Sequence, residues 1–209
     1  MKIRSQFLVL GAAAVVGLAG VVTGAGATSS APPTWKVYNY NPSGRALAPV
    51  SPASNDGKTV TFNFAPGTYT ALLTTMDNSI NGDLTGKTIT DTVSVTGATV
   101  PFTTQNGGGC GNPPAVRLYF TSPCFAYTNF WWSNPVHFDL ANGPFAFTVS
   151  LADPSQWSDW NGHMGSAELT GFADAVSKVN QVGLSFGGDC FFENGATGTG
   201  TFSSAFSVS

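Results

Sequence analysis

The chain has 209 residues, only 9% of them charged, with 8 Lys and Arg against 11 Asp and Glu. That length supports a domain with a sizeable core. The sparse, net-negative charge argues against nucleic acid, which is bound by clustered cations on phosphates, and against anionic membrane surfaces.

Lys2 and Arg4 precede an apolar run from Phe7 to Val22. Its roughly 16 residues suit the core of a secretory signal and fall short of a membrane span. Ala25-Gly26-Ala27 offers the small residues of a cleavage site. Residues 1–27 are therefore expected to be a signal peptide, with the mature chain starting near Thr28; an uncleaved anchor is the alternative. Without Lys2 and Arg4, 6 basic residues face 11 acidic ones. An exported, acidic, mostly uncharged polar surface suits a neutral extracellular partner and no membrane contact after cleavage.

Residues 28–57 are rich in Pro, Ser and Asn and read as a segment entering the domain. Within them Trp35, Val37 and Tyr38 form either a first short strand or part of a tail. Residues 58–209 then carry short β-type runs between turn signals: Thr59–Phe64, Gly67–Thr75, Lys87–Val95, Val116–Thr121, Asn129–Ser133, Val136–Leu140, Phe145–Leu151, Val182–Phe186 and Thr201–Val208. Val, Ile, Thr, Phe and Tyr dominate them. Many short strands in a chain of this length predict an all-β fold, an antiparallel β-sandwich of jelly-roll type. One segment departs from the pattern: Phe172, Ala175, Val176 and Val179 recur at helical spacing, which predicts one short helix over 171–180 with Thr170 as its N-cap. A helical turn over Ser155–Gly162 would put Trp157 and Trp160 on one side. The core is expected to hold Phe62, Phe64, Leu72, Ile89, Val93, Leu118, Phe120, Phe138, Phe147, Val149, Phe172, Val176, Leu184, Phe186 and Phe206.

VRLYF, FWWSNPVHFDL, FTVSLADPSQWSDWNG, FADAVSKVNQVGLSFGGDCFFENG and the earlier GDLTGKTITDTVSV share one character. On these stretches the chain from Thr59 to Val208 resembles a family of small exported proteins of actinobacteria. More distantly it is similar to galactose-binding-like jelly rolls, the fold of many carbohydrate-binding modules. The resemblance implies a β jelly roll and a glycan-binding role, without naming the glycan.

Three cysteines are present, Cys110, Cys124 and Cys190. Export favours a disulfide, and an odd count leaves one thiol over. Cys110 precedes the Val116 strand and Cys190 follows the Val182 strand, so antiparallel pairing of those strands would bring the two together. Cys110–Cys190 is the favoured pair; the other two pairings, or three reduced thiols, are the alternatives. No cysteine and histidine spacing suits a metal. Asn55-Asp56-Gly57 and Asn81-Gly82-Asp83 could ligate calcium but read more simply as turns. No cofactor is expected.

A glycosidase would need two facing carboxyl groups about 5–10 Å apart. Asp139, Asp153, Asp159, Glu168, Asp189 and Glu193 are the candidates, and spacing alone pairs none of them. His137 and His163 accompany no Gly-x-Ser-x-Gly elbow. The sequence therefore favours binding over catalysis. Sugars stack their C–H faces on aromatic rings and offer hydroxyls to polar side chains. In Phe130-Trp131-Trp132 a strand sends neighbouring rings to opposite faces. Phe130 and Trp132 share one face, and Trp131 shares the other with Asn129 and Ser133. Polarity assigns Trp131 to the wet face, unless a helix or turn packs over it. Trp131, Trp157 and Trp160 are the expected sugar contacts, with Asp159 and Asn161 as polar partners. The expected function is non-catalytic carbohydrate binding by a secreted protein; a structural protein of the cell envelope, pairing by an exposed strand edge, and a glycoside hydrolase are the alternatives.

Overall fold

The structure, a computed structural model, describes residues 31–105, 110–123, 129–188 and 190–209. The expected signal peptide, Cys124 and Asp189 lie outside the described residues.

Two antiparallel sheets make a β-sandwich. The larger sheet is centred on β4 (Tyr69–Thr75), β12 (Gln181–Gly187) and β7 (Ala115–Thr121), and continues through β8 (Phe130–Ser133) to β11 (Trp157–Asp159). Beyond β4 it adds β1 (Trp35–Tyr40), β13 (Ala196–Thr197) and β6 (Thr103–Thr104), while β9 (Phe138–Asp139) pairs with β7. The smaller sheet runs β10 (Gly143–Ser150), β5 (Thr88–Thr96), β14 (Thr201–Val208), β3 (Val60–Asn63) and β2 (Ser54–Asn55). The chain passes between the sheets several times, so neither sheet is a simple meander.

Ala31–Ser209 forms one compact unit, in which β1 packs with the sheets. Trp35 and Val37 explain why. Both are buried, and their strand pairs with β4 along its length, Trp35 opposite Thr75 and Val37 opposite Leu73. The Pro-rich composition describes the flanks of β1 rather than the strand.

Strand alternation builds the core. In β5, Ile89, Val93 and Val95 are buried while Thr92 and Thr96 are exposed. Facing them across the sandwich, Val182, Leu184 and Phe186 come from β12. Phe186 meets Phe202 edge-on at 5.0 Å between centroids, and Phe62 lies 5.2 Å from Phe202. Such ring pairs add roughly 0.5–1.5 kcal/mol each beyond their burial. Leu72, Phe138 and Phe206 are only partly buried. Leu72 points opposite to core Leu73, and Phe138 and Phe206 pack at the rim of the core. Helix α1 (Leu169–Val176) buries Phe172, Ala175 and Val176. Its N-cap is Glu168, not Thr170: the first helical bond runs from Phe172 N–H to Glu168 O at 2.9 Å. The turn expected to hold Trp157 and Trp160 together is instead a strand ending, so the two rings diverge.

Asp91 is a carboxyl among these apolar residues. It is fully buried on the core face of β5, with Oδ2 accepting the Ser204 hydroxyl at 2.8 Å and no partner for Oδ1. Burial pushes its pKa from 3.8 to about 7, and the Ser204 hydrogen bond only partly opposes this. The folded state therefore holds a proton that the unfolded chain releases near pH 4. The stabilisation is complete below about pH 4 and is lost as pH rises to about 7. We expect urea midpoints to fall across that window. Asp91→Asn should flatten the fall, gaining on the order of 4 kcal/mol at pH 8 relative to its own effect at pH 4. A pH dependence identical in both proteins would show that Asp91 titrates normally.

Gly187 of β12 sits opposite Ala115 of β7, and this register brings the flanking cysteines together. Cys110 and Cys190 are disulfide-bonded with Cα atoms 5.2 Å apart, the pairing favoured from strand order. The bond spans 80 positions of sequence, so its loss should release substantial chain entropy. Reduction, or a Cys110→Ser/Cys190→Ser double variant, is expected to cost about 2–5 kcal/mol in chemical unfolding. An unchanged midpoint would mean that the bond contributes nothing to stability.

Candidate functional site

Strand β8 decides where the site lies. Trp131 and Trp132 diverge as alternation requires, but in the sense opposite to the polarity argument. Trp131 is 1% exposed and lies in the core, 5.1 Å from Phe172 of the helix and 6.5 Å from Phe120. Trp157, 0% exposed, fills the same region, with its Nε1 donating to Ser150 O at 2.8 Å. Neither ring is available to a ligand, which corrects two of the expected contacts. Ser133 explains the inversion. Its side chain is buried beside Trp131, yet its Oγ accepts from Leu118 N–H and donates to Val136 O, so a polar residue fits inside.

The outer face carries Phe130 and Trp132, stacked at 5.6 Å. Trp132 is only 2% exposed, because two further rings cover it: Trp160 at 5.7 Å and Phe192 at 6.0 Å. Trp160 is 37% exposed and Phe191 is also exposed. The Nε1 of Trp132 has no hydrogen-bond partner. These rings wall a cleft of about 200 Å³, which Asp159, Asn161, Gly162, Cys190 and Glu193 complete. Three of the five expected residues, Trp160, Asp159 and Asn161, thus share one site.

One wall is the turn after β11. Asp159 pairs with Trp131 across β8, and the chain then reverses so that Ser158 bridges Met164. Asp159 Oδ1 accepts from Asn161 N–H at 2.9 Å and His163 N–H at 2.8 Å, which rigidifies the turn. Gly162 supplies the left-handed conformation, φ +79°, that side chains resist. His163 Nδ1 lies 3.5 Å from Asp159 Oδ2 and 3.7 Å from Glu168 Oε1. Trp160 and Asn161 are held at the tip of this turn.

The other wall follows the disulfide. Phe191, Phe192 and Glu193 continue from Cys190, so the covalent bond anchors them. Arg117 of β7 supports Phe192 from beyond the cleft: its guanidinium carbon lies 4.0 Å from the ring centroid, and Nη1 donates to Ser133 O at 2.9 Å. Burial lowers the Arg117 pKa to about 10, with Asp139 opposing the shift, so the group stays charged near neutrality. Asp139 also lies 3.3 Å from His137 Nε2. Glu193 is half-buried, and no described residue forms an ion pair with it. Burial pushes its pKa from 4.5 to about 7. Tyr40 of β1 is also shifted up, mainly by burial and then by Glu193.

Of the other carboxylates weighed, Asp153 caps a 3-10 turn by accepting from Ser155, and Asp139 lies on the Arg117 side. Among the described carboxylates, Asp159 and Glu193 line this cleft. The sequence reading missed Trp132, Phe191, Phe192 and the placement of Glu193. Its available clue was the run of two aromatics and a glutamate immediately after a bonded cysteine. No family model, curated protein or solved structure matches the chain.

Proposed function

We propose that this is an exported, non-catalytic carbohydrate-binding protein that takes a polysaccharide or glycan in the Trp132–Trp160 cleft. The observation that carries this reading is the indole platform: Trp160 offers one exposed face and rests on a buried Trp132. A ring fixed in this way loses little entropy on binding, and stacking with a sugar face adds to its burial. Asn161 stands beside it to meet hydroxyl groups. The disulfide suits an oxidising compartment, and no described helix is long and apolar enough to cross a membrane.

Hydrolysis would call on Asp159 and Glu193, which face one cleft. Binding fits better because Asp159 Oδ1 is already engaged by two backbone N–H groups of its own turn. Affinity electrophoresis through gels containing soluble polysaccharides tests the proposal. The purified protein should be retarded by at least one polymer, and Trp160→Ala should weaken retention about tenfold, equivalent to ~1.4 kcal/mol, while remaining folded at the assay temperature despite losing the ring that covers Trp132. Equal retention by the variant would move binding off this cleft. No retention on any polymer by folded protein would leave a structural role in the cell envelope as the better reading.

A further inference from the structure

Among the described residues, the lining of the cleft contains four aromatic rings, Trp132, Trp160, Phe191 and Phe192, two carboxyl groups, Asp159 and Glu193, and no Lys, Arg or His. Aromatic faces carry negative potential and attract cations, most strongly where water is excluded. A cation already sits against one of these rings, where Arg117 lies over Phe192 from behind. Glu193 is half-buried with no ion-pair partner among the described residues. The Trp132 indole N–H, nearly inaccessible in the same lining, also lacks an acceptor.

A neutral sugar would satisfy the stacking surface and leave Glu193 without a counter-charge. An anionic sugar would be repelled by Asp159 and Glu193. We propose that the cleft recognises a saccharide bearing free amino groups, with its ammonium seated between Glu193 and the exposed face of Trp160. This rests on the carbohydrate reading of the same cleft. The ligand departs from the neutral glycan expected from composition, because the lining rather than the average surface sets its charge.

The electrostatics of Glu193 supply a second readout. Its raised pKa reflects burial without a counter-charge, and a bound ammonium provides one. Binding near pH 6, where the sugar amine is largely protonated, should therefore release a proton from Glu193, and affinity should fall as pH drops below 6 and protonation of Glu193 competes with the ligand. The other ionisable groups nearby are Tyr40 from β1, Asp159 with His163 and Glu168 on the opposite wall, and Arg117 with Asp139 and His137 behind Phe192.

Isothermal titration with β-1,4-linked tetramers of glucosamine, N-acetylglucosamine and glucose provides the test. Measurements at pH 6 in two buffers of different ionisation enthalpy report proton release. We expect glucosamine to bind at least tenfold more tightly than the other two, with a proton released. Glu193→Gln should abolish both the preference and the release while keeping the weaker sugar binding. Equal binding of all three tetramers, or a preference that survives Glu193→Gln, would overturn the amine assignment and leave the carbohydrate reading standing. No binding of any tetramer by folded wild-type protein would overturn both.

Discussion

Antiparallel pairing of β7 with β12 fixes most of what is distinctive in this molecule. The register sets Leu118 opposite Leu184 and Val116 opposite Phe186, with Phe120 beside Val182, and all six side chains are buried in the core. The intervening positions then belong to the other face, where Arg117 sits opposite Ser185 and Tyr119 opposite Gly183. Glycine at 183 suits a crowded position, since a Cβ there would run into the Leu73 carbonyl of the next strand. At the far end, Gly187 and Ala115 bring Cys110 to Cys190. One register thus places the core, the disulfide and the loop carrying Phe192.

The outer face shows how an aromatic cluster can be both structural and available. Trp132 is nearly inaccessible, yet what hides it is other rings rather than a second sheet or a helix. Phe130 stacks below, Trp160 covers one side and Phe192 another. The cover is carried on a tight turn and on a disulfide-anchored loop, so two short connections form both walls of the cleft. This is the usual division of labour, in which a rigid sheet positions loops that carry the variable chemistry.

The sequence made the β architecture legible because its strands follow period-two patterns and end at turn residues. Thr201–Val208 matches β14 to the residue. Most other strands shift by one or two positions, where pairing partners rather than propensity set the ends. The disulfide was readable because it depends only on strand order. The site was read less well, for a specific reason. Alternation says which residues share a face, but not which face turns inward. Phe130 and Trp132 do share one, yet Ser133 takes its polar group inside and satisfies it on backbone, so side-chain polarity pointed the wrong way. Trp157 and Trp160 separate because Asp159 ends a strand instead of continuing a helical turn. Spacing alone did not place Glu193, because nothing local signals that aromatic rings share its cleft.

The disulfide closes a covalent ring around β7, β8, β9, β10, β11, the helix and β12. Both walls of the cleft are fixed to that ring, and its smaller-sheet member β10 is zipped along β5 for eight residue pairs. A protease that nicks a single exposed loop anywhere between residues 110 and 190 would therefore release no fragment. The two new ends would stay tethered through Cys110 and Cys190, and strand pairing would hold the cut segment in place. This makes the cleft tolerant of a broken backbone as long as the sulfur bridge stays oxidised.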